Sequence, residues 1–150
     1  MRYFNGTENI GLFLGKNERD ERRLVCYGDA THGVHFNGKS HTGTVITHGR
    51  GAIVAKSTKQ KIVCRTSTES ELVALSDASS LVYYELQFLQ SLGVQVKFAT
   101  MYQDNTSTTM AKHGKFCSDR TKHIKLRYFS VKQFIDSGEF NSQLHIVRQR

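Results

Sequence analysis

The chain has 150 residues, of which 38% are hydrophobic and 23% are charged, a composition typical of one folded, water-soluble domain. Its apolar runs are too short to cross a bilayer, and the N-terminus lacks the apolar core of a signal peptide. The formal net charge of +8 favours polyanionic partners such as nucleic acid. Cys26, Cys64 and Cys117 lie far apart without a C-x-x-C pair, which argues against a disulfide framework and against a zinc site.

The first third of the sequence predicts a small antiparallel sheet. Residues 2–14 are predicted as a short helix or an irregular lead-in. Strands are predicted over residues 24–34, 42–47 and 52–56 or beyond, where β-branched and apolar residues dominate. Asn37-Gly38 is a two-residue hairpin signal, and HGRG at residues 48–51 marks a further turn. Short connections of this kind imply an antiparallel meander.

A long helix is predicted from about Ser67 to Ser91, with Gly93 as its stop. Ser67 or Thr68 can cap its start, and Thr68 with Glu71 has the S/T-x-x-E form of a capping box. This pattern places Glu71 in the first turn, where the helix dipole favours a carboxylate. Two interpretations of Glu71 remain open: a capping residue, or one arm of an acidic metal site above a sheet.

The second half of the sequence predicts further strands and helices. A strand is expected over residues 94–102, a short helix over 106–113, a longer helix over 119–137 and a final strand over 139–147. The long helix before the fourth strand favours a right-handed crossover and a parallel pairing with an earlier strand. The predicted fold class is therefore α/β: a five-stranded mixed sheet, three antiparallel strands followed by parallel crossovers, with helices packed on it.

Two aspartates end strands that this topology makes neighbours. Asp29 lies in or just after the first strand, and Asp104 lies at the end of the fourth. If these strands are parallel neighbours, both carboxylates lie at one edge of the sheet, where the helix carrying Glu71 can cross them. Clustered carboxylates repel one another unless cations neutralise them, and Mg²⁺ or Mn²⁺ is the expected cation. The alternatives are a turn residue for Asp29 and a helix cap for Asp104.

The positive charge is concentrated near the C-terminal helix. Between Lys112 and Lys132 seven Lys or Arg residues face one acid, Asp119. A candidate surface for nucleic-acid phosphates consists of Lys122, Lys125, Arg127 and Lys132. The alternative is an ordinary solvated helix face. Thr42, beside Gly43, lies where a loop that contacts a nucleic-acid backbone is expected.

The histidines give a weaker signal. His123 could carry protons near a scissile phosphate, or it could satisfy local hydrogen bonds in the first turn of its helix. The spacing of the histidines in the first hairpins matches no metal-binding template. They are predicted to be solvated loop residues: His32, His35, His41 and His48.

Several segments in family order resemble the ribonuclease H domain of copia-type LTR retrotransposon polyproteins. The segments are RYFNGTENIGL, LVCYGDATHGVHFNGKSHTGTVITHGRGAIVAKSTKQ, TSTESELVALSDA, YQDNTSTTMAKHG and RTKHIKLRYFSVKQFIDSGE, of which TESELVALSDA and RTKHI are the specific ones. The resemblance implies a ribonuclease H-like fold and hydrolysis of the RNA strand of RNA–DNA hybrids during reverse transcription. It assigns Asp29, Glu71 and Asp104 as catalytic acids that bind two Mg²⁺ or Mn²⁺ ions, and leaves Glu69 as an exposed first-turn acid.

The resemblance also implies a context. Residues 1–23 resemble the end of a reverse transcriptase connection, and residues 24–150 form the ribonuclease H-like domain. The expected partners are an RNA–DNA hybrid and a reverse transcriptase upstream in the same polyprotein. The expected location is intracellular, in a cytoplasmic virus-like particle with a potential nuclear phase. The sequence does not indicate the oligomeric state.

One feature of the family has no counterpart in this sequence. A fourth acidic residue follows the last strand in the family, at the start of a C-terminal helix, whereas here no such residue precedes Arg150. A C-terminally truncated domain is therefore expected. The alternative function is a catalytically silent module that binds nucleic acid or supports a reverse transcriptase. A general basic RNA-binding protein is a third candidate.

Overall fold

The structure, a computed structural model, describes residues 2–13, 15, 23–96, 98–103 and 122–136. The elements in chain order are α1 (Arg2–Thr7), β1 (Arg23–Thr31), β2 (His41–His48), β3 (Gly51–Lys59), α2 (Ser67–Ser91), β4 (Phe98–Tyr102) and α3 (Lys122–Asp136). Two predicted elements lie outside the described residues: the helix over 106–113 and the strand over 139–147. Within the described ranges, none of the helices has the length and apolar character that a membrane span requires.

The described strands form one mixed sheet in the order β3-β2-β1-β4. β1 pairs antiparallel with β2, and β2 pairs antiparallel with β3. β1 pairs parallel with β4, so that Cys26 lies between Ile46 on one side and Met101 on the other. The predicted meander followed by a parallel crossover strand is confirmed. Four of the five predicted strands lie in this sheet, and the fifth falls outside the described part of the chain.

The connection between β1 and β2 is longer than a two-residue hairpin. Residues 32–40 separate the two strands. Asn37-Gly38 does form a turn, in which the N–H of Gly38 (φ +73°) donates to the carbonyl of His35 at 2.8 Å. Gly33, at φ +61°, interrupts the extended backbone just after β1. The strand pairing therefore stops before the turn is reached, and the hairpin prediction is wrong in its loop length.

One face of the sheet is covered by α2. Leu24 and Cys26 of β1 point towards the helix. Tyr27, the next residue along the strand, is exposed on the other face of the sheet. The main core cluster consists of Leu24, Cys26, Ile46, Ala78, Val82, Leu86 and Ala99. Each large apolar side chain buried in this way contributes about 1.5–3 kcal/mol. This packing fixes α2 over β1, with Ile46 of β2 and Ala99 of β4 in contact on either side.

α2 has the predicted bounds, but β4 is shorter than predicted. After the helix, the N–H of Gly93 donates to the carbonyl of Gln90 at 2.9 Å, and the N–H of Val94 donates to the carbonyl of Leu89 at 2.9 Å. These bonds satisfy carbonyl groups at the end of the helix. The helix-terminating turn therefore uses residues that were predicted to belong to the strand.

α3 packs on α2 through a small second cluster. Val131 is 4% exposed and packs with Leu72 and Leu75 of α2. The Arg127 guanidinium donates from Nη1 to Oδ1 of Asp77 at 2.7 Å. The predicted apolar stripe of the helix is confirmed at Val131, and the predicted first three residues, 119–121, lie outside the described part.

Candidate functional site

The start of α2 differs from its prediction. Thr66 is the N-cap, and its Oγ1 accepts the N–H of Glu69 at 3.2 Å. Glu69 in turn accepts the N–H of Arg65 on Oε2 at 2.7 Å. The capping role therefore belongs to Thr66 and Glu69, and the prediction that Thr68 and Glu71 form the capping box is wrong. Glu71 lies beyond the first turn, so capping does not explain it.

Glu71 is bound to the end of β4 by a buried glutamine. Nε2 of Gln103 donates to Glu71 Oε2 at 2.6 Å and to the Glu71 carbonyl at 3.0 Å. Both side chains are buried, with 5% of Glu71 and 4% of Gln103 exposed. A buried carboxylate needs hydrogen-bond donors or cations to offset its lost hydration. The amide supplies one such donor and ties the acid on the helix to the carboxyl end of β4.

The oxygen of the same amide is an unsatisfied acceptor. Oε1 of Gln103 is buried and has no hydrogen-bond partner within the described part of the chain. Leaving a buried acceptor unpaired costs about 1–3 kcal/mol. A polar ligand that donates to this oxygen would therefore be favoured at this point of the molecule.

Asp29 lies at the adjoining end of β1. It pairs with Gly43 of β2, and its Oδ1 accepts the N–H of Ala30 at 2.8 Å. Two residues earlier, Tyr27 is the strand partner of Tyr102 and stacks on it, with ring centroids 5.2 Å apart. The predicted parallel pairing of the first and fourth strands is therefore confirmed, and Asp29 lies one strand away from the end of β4.

An open cleft on the sheet face opposite α2 joins these two positions. Its volume is about 710 Å³, and Asp29 and Gln103 both line it, together with the stacked Tyr27 and Tyr102. The floor stays open at Gly43, because no described atom lies within 4 Å of the position that a Cβ would take there. Gln103 therefore contacts both the buried carboxylate of Glu71 and the cleft that holds Asp29.

The third predicted acid, Asp104, follows Gln103 directly in the sequence and lies outside the described residues. The side chains of three predicted residues of α3 lie outside them as well: Lys122, His123 and Lys125. Among the side chains that are described, no three of the types His, Cys, Asp or Glu come together as a metal-binding group. Of the predicted metal ligands, Asp29 lines the cleft on the sheet face opposite α2, and Glu71 is buried against Gln103, so the described residues connect the two acids only through Gln103. Carboxylate oxygens are the ligands that hard divalent cations prefer.

The described members of the predicted nucleic-acid surface differ in what they contact. Lys132 is exposed, whereas Arg127 is committed to the ion pair with Asp77. Thr42 is 2% exposed, and its Oγ1 accepts a hydrogen bond from Gln60 Nε2 at 3.0 Å. Strand alternation turns Thr42 towards α2. The structure therefore does not bring Thr42 to a surface that a nucleic-acid backbone could contact.

Two buried glutamines near the site were missed by sequence reasoning. Besides Gln103, Gln60 donates from Nε2 to the carbonyl of Ser70 at 2.9 Å, which fixes the first turns of α2 to the end of β3. The thiol of Cys64 donates to Gln60 Oε1 at 3.3 Å, and burial together with the Glu69 carboxylate raises the pKa of that thiol. Gln103 follows directly after β4, and no motif or spacing in the sequence indicates its role.

The architecture is that of ribonuclease H domains. RNase H1 from the halophilic archaeon Halobacterium salinarum NRC-1 matches with a TM-score of 0.51 and 16% identity over 79% of this chain and 80% of that chain. The native Prototype Foamy Virus protease–reverse transcriptase matches with a TM-score of 0.52 and 13% identity over 84% of this chain and 18% of that chain. At these identities the likeness establishes the fold alone.

Sequence similarity identifies the relatives more closely, although no family model matches the chain. The chain is 33% identical over 137 residues to the retrovirus-related Pol polyprotein from transposon TNT 1-94 of Nicotiana tabacum, and 32% identical over 140 residues to that from transposon RE2 of Arabidopsis thaliana. These matches cover 91% and 92% of the chain and 10% of each relative. The chain is thus a homologue of the Pol polyproteins of copia-type transposons, and it spans about a tenth of their length.

Proposed function

We propose that this chain is a metal-dependent ribonuclease H segment that hydrolyses the RNA strand of RNA–DNA hybrids during retrotransposon reverse transcription. The observation that carries the proposal is the hydrogen bond at 2.6 Å from Gln103 to the buried carboxylate of Glu71. It connects an acid with no capping role to the end of β4, beside the strand that carries Asp29. The homology to transposon Pol polyproteins supports the same activity.

Asp29, Glu71 and Asp104 would hold two Mg²⁺ or Mn²⁺ ions. Carboxylates that converge at adjoining strand ends repel one another, and hard divalent cations relieve that repulsion. When bound, two such ions supply the Lewis acidity that makes a water nucleophilic and that neutralises the leaving oxygen of a phosphodiester. No other cofactor is required by this proposal.

The chain's own residues would position these acids. Gln103 donates one hydrogen bond to the Glu71 carboxylate and one to its backbone carbonyl, and so holds this acid at the end of β4. Its unpaired Oε1 is available to a water molecule that enters the site with a cation. Gly43 leaves the cleft open beside Asp29, where a phosphodiester backbone can approach.

The proposal extends to the context of the chain. A reverse transcriptase upstream in the same polyprotein is the proposed covalent partner, with residues 1–23 as the end of its connection. The proposed location is intracellular, in a cytoplasmic virus-like particle.

A cleavage assay on a hybrid with a labelled RNA strand tests the activity. With Mg²⁺ or Mn²⁺ the chain is expected to release short RNA products, and Glu71→Gln and Asp104→Asn are each expected to lower the rate at least about a hundredfold. Glu85→Gln makes the same chemical change on α2, about 21 Å along the helix from Glu71, and should leave the rate unchanged. Equal rates in Glu71→Gln and in the unmodified chain would contradict the proposal.

The alternative is a catalytically silent module that binds nucleic acid. The net charge of +8 favours it, because cationic residues bind phosphates without any need for an intact acidic site. In the same assay this alternative predicts salt-sensitive binding of the hybrid and no cleavage with either metal ion.

A further inference from the structure

A chain of three side chains lies at the rim of the cleft, apart from the acidic site. Nε2 of His35 and Nδ1 of His41 are 2.9 Å apart, and Nε2 of His41 is 2.7 Å from Oγ of Ser57. We call these three residues the histidine–serine chain. The predicted loop placement is confirmed for His35 and is wrong for His41, which belongs to β2 and whose ring is hydrogen-bonded on both sides.

The backbone holds the outer histidine in place. The N–H of His35 donates to the carbonyl of Lys39 at 3.1 Å, and its own carbonyl accepts the N–H of Gly38 at 2.8 Å. The same loop is anchored by Ser40, which is fully buried and whose Oγ accepts the N–H of Gly33 at 3.1 Å. A ligand that binds the chain therefore meets side chains that are already ordered, which lowers the entropic cost of binding.

The surroundings of the chain are cationic. Lys59 is the strand partner of His41, and Ser57 lies two residues before it on the same face of β3. Partial burial, with the charge of Lys59 and the neighbouring His41, lowers the pKa of His35. An anion bound at this position would raise the pKa of His35, because a negative charge favours the protonated ring.

Three further charged groups lie near the chain. Lys39 is in the same loop, and Lys56 and Asp29 line the cleft together with Ser57. Gly43 of β2 pairs with Asp29 of β1 on one side and with Ser57 of β3 on the other. Two strand spacings therefore separate Asp29 from Ser57, about 10 Å. At that separation the carboxylate of Asp29 is largely screened at physiological ionic strength.

The hydrogen bonds of the histidine–serine chain couple protonation of His35 to the orientation of the Ser57 hydroxyl. A doubly protonated His35 must donate from Nε2 to Nδ1 of His41. His41 then carries its own proton on Nε2 and donates it to Ser57 Oγ. The Ser57 hydroxyl has one proton, which can no longer point at His41 and is turned towards the cleft.

We propose that the histidine–serine chain, with Lys59 beside it, is a proton-linked binding site for a phosphate group. In the neutral chain of this proposal the Ser57 O–H donates to Nε2 of His41, and Nδ1 of His41 donates to Nε2 of His35. Taking up one proton reverses these hydrogen bonds, creates an imidazolium at His35 and frees the Ser57 O–H as a donor, while Lys59 adds a permanent positive charge. Binding of one anion linked to one proton strengthens by up to about tenfold per pH unit as the pH falls. The phosphate group could belong to a nucleic-acid backbone or be free phosphate.

The test is a pH titration of the histidine ring resonances by NMR, with and without two probes. The probes are inorganic phosphate and a short oligothymidylate, whose diester charges do not change between about pH 5 and 8. With a bound probe, the pKa of His35 is expected to rise and the probe to bind more tightly at about pH 5.5 than at about pH 7.5. A response to oligothymidylate alone assigns the site to a nucleic-acid backbone, and a response to phosphate alone assigns it to the free ion.

Matched variants separate this site from general charge attraction. His35→Gln removes the titrating ring and should lose the pH-dependent part of the affinity. Ser57→Ala removes only an exposed hydroxyl and should weaken binding at about pH 5.5 while a smaller pH dependence remains. His48→Gln changes a histidine at the other end of β2, outside the chain, and should retain it. Affinity that does not depend on pH, unchanged ring resonances with both probes, or the same loss in His48→Gln would overturn the proposal.

Discussion

At the level of single residues, the most informative side chain is Gln103, which the sequence analysis did not single out. Glu71 was a candidate acid from the start, but the cap of its helix was predicted at Ser67 or Thr68, and the second T-x-x-E pattern, Thr66 with Glu69, was not considered. Sequence alone cannot choose between them, because the choice depends on where the chain enters the helix. The structure selects Thr66 and leaves Glu71 to contact Gln103.

Replacing Gln103 by leucine should weaken the site without removing an acid. Hydrogen bonds to a charged group contribute about 1.5–3 kcal/mol, so cleavage of a hybrid should fall by about ten- to a hundredfold. The affinity for Mn²⁺, measured by electron paramagnetic resonance, should fall as well. Gln87→Leu, on the exposed side of α2, is the control, and equal behaviour of the two variants would refute a positioning role for Gln103.

Cys26 should be unreactive in the folded protein. Burial raises its pKa to about 12 from an ordinary value of 9.0. Because the folded pKa is the higher one, the stabilising contribution of the neutral thiol is present below pH 9 and is lost as the pH rises towards 12.

Alkylation at about pH 8.5, followed by mass spectrometry of the peptides, measures this protection of Cys26. The residue should be modified only after denaturant is added. Rapid modification of Cys26 under native conditions would show that β1 is not covered by α2 as described.

At the level of elements, the lengths of strands and helices were predicted better than the connections between them. α2 has its predicted bounds because a long apolar periodicity defines it. The loop over residues 32–40 was not predicted, because Asn37-Gly38 indicates a turn but not how far the strand pairing extends. The turn after Gly93 likewise removes residues from β4 that have strand-like side chains.

The corrected helix cap gives a direct comparison. Thr66→Ala should lower the free energy of unfolding by about 1 kcal/mol, since it removes the acceptor for the Glu69 N–H. Thr68→Ala, which makes the same chemical change within α2, should cost less. Urea denaturation measures both, and a larger loss for Thr68→Ala would restore the original capping prediction.

At the level of the whole molecule, the order of the elements was sufficient to predict the fold class. Three strands, a long helix and a fourth strand leave few topologies once a right-handed crossover is required. The same reasoning predicted that the ends of β1 and β4 are adjacent, and the pairing of Tyr27 with Tyr102 confirms it. The network of Gln60 and Gln103 could not be predicted, because uncharged polar side chains carry no periodic signal and acquire partners only when distant segments meet.

The central claim is that carboxylates from separate elements bind divalent cations at the ends of β1 and β4. Mn²⁺ binding, followed by electron paramagnetic resonance with a hybrid whose RNA strand is 2′-O-methylated against cleavage, tests it most directly. Saturable binding is expected for the unmodified chain and for Glu85→Gln, and it should be lost or strongly weakened in Asp29→Asn and Glu71→Gln. Equal Mn²⁺ binding by all four proteins would contradict the account.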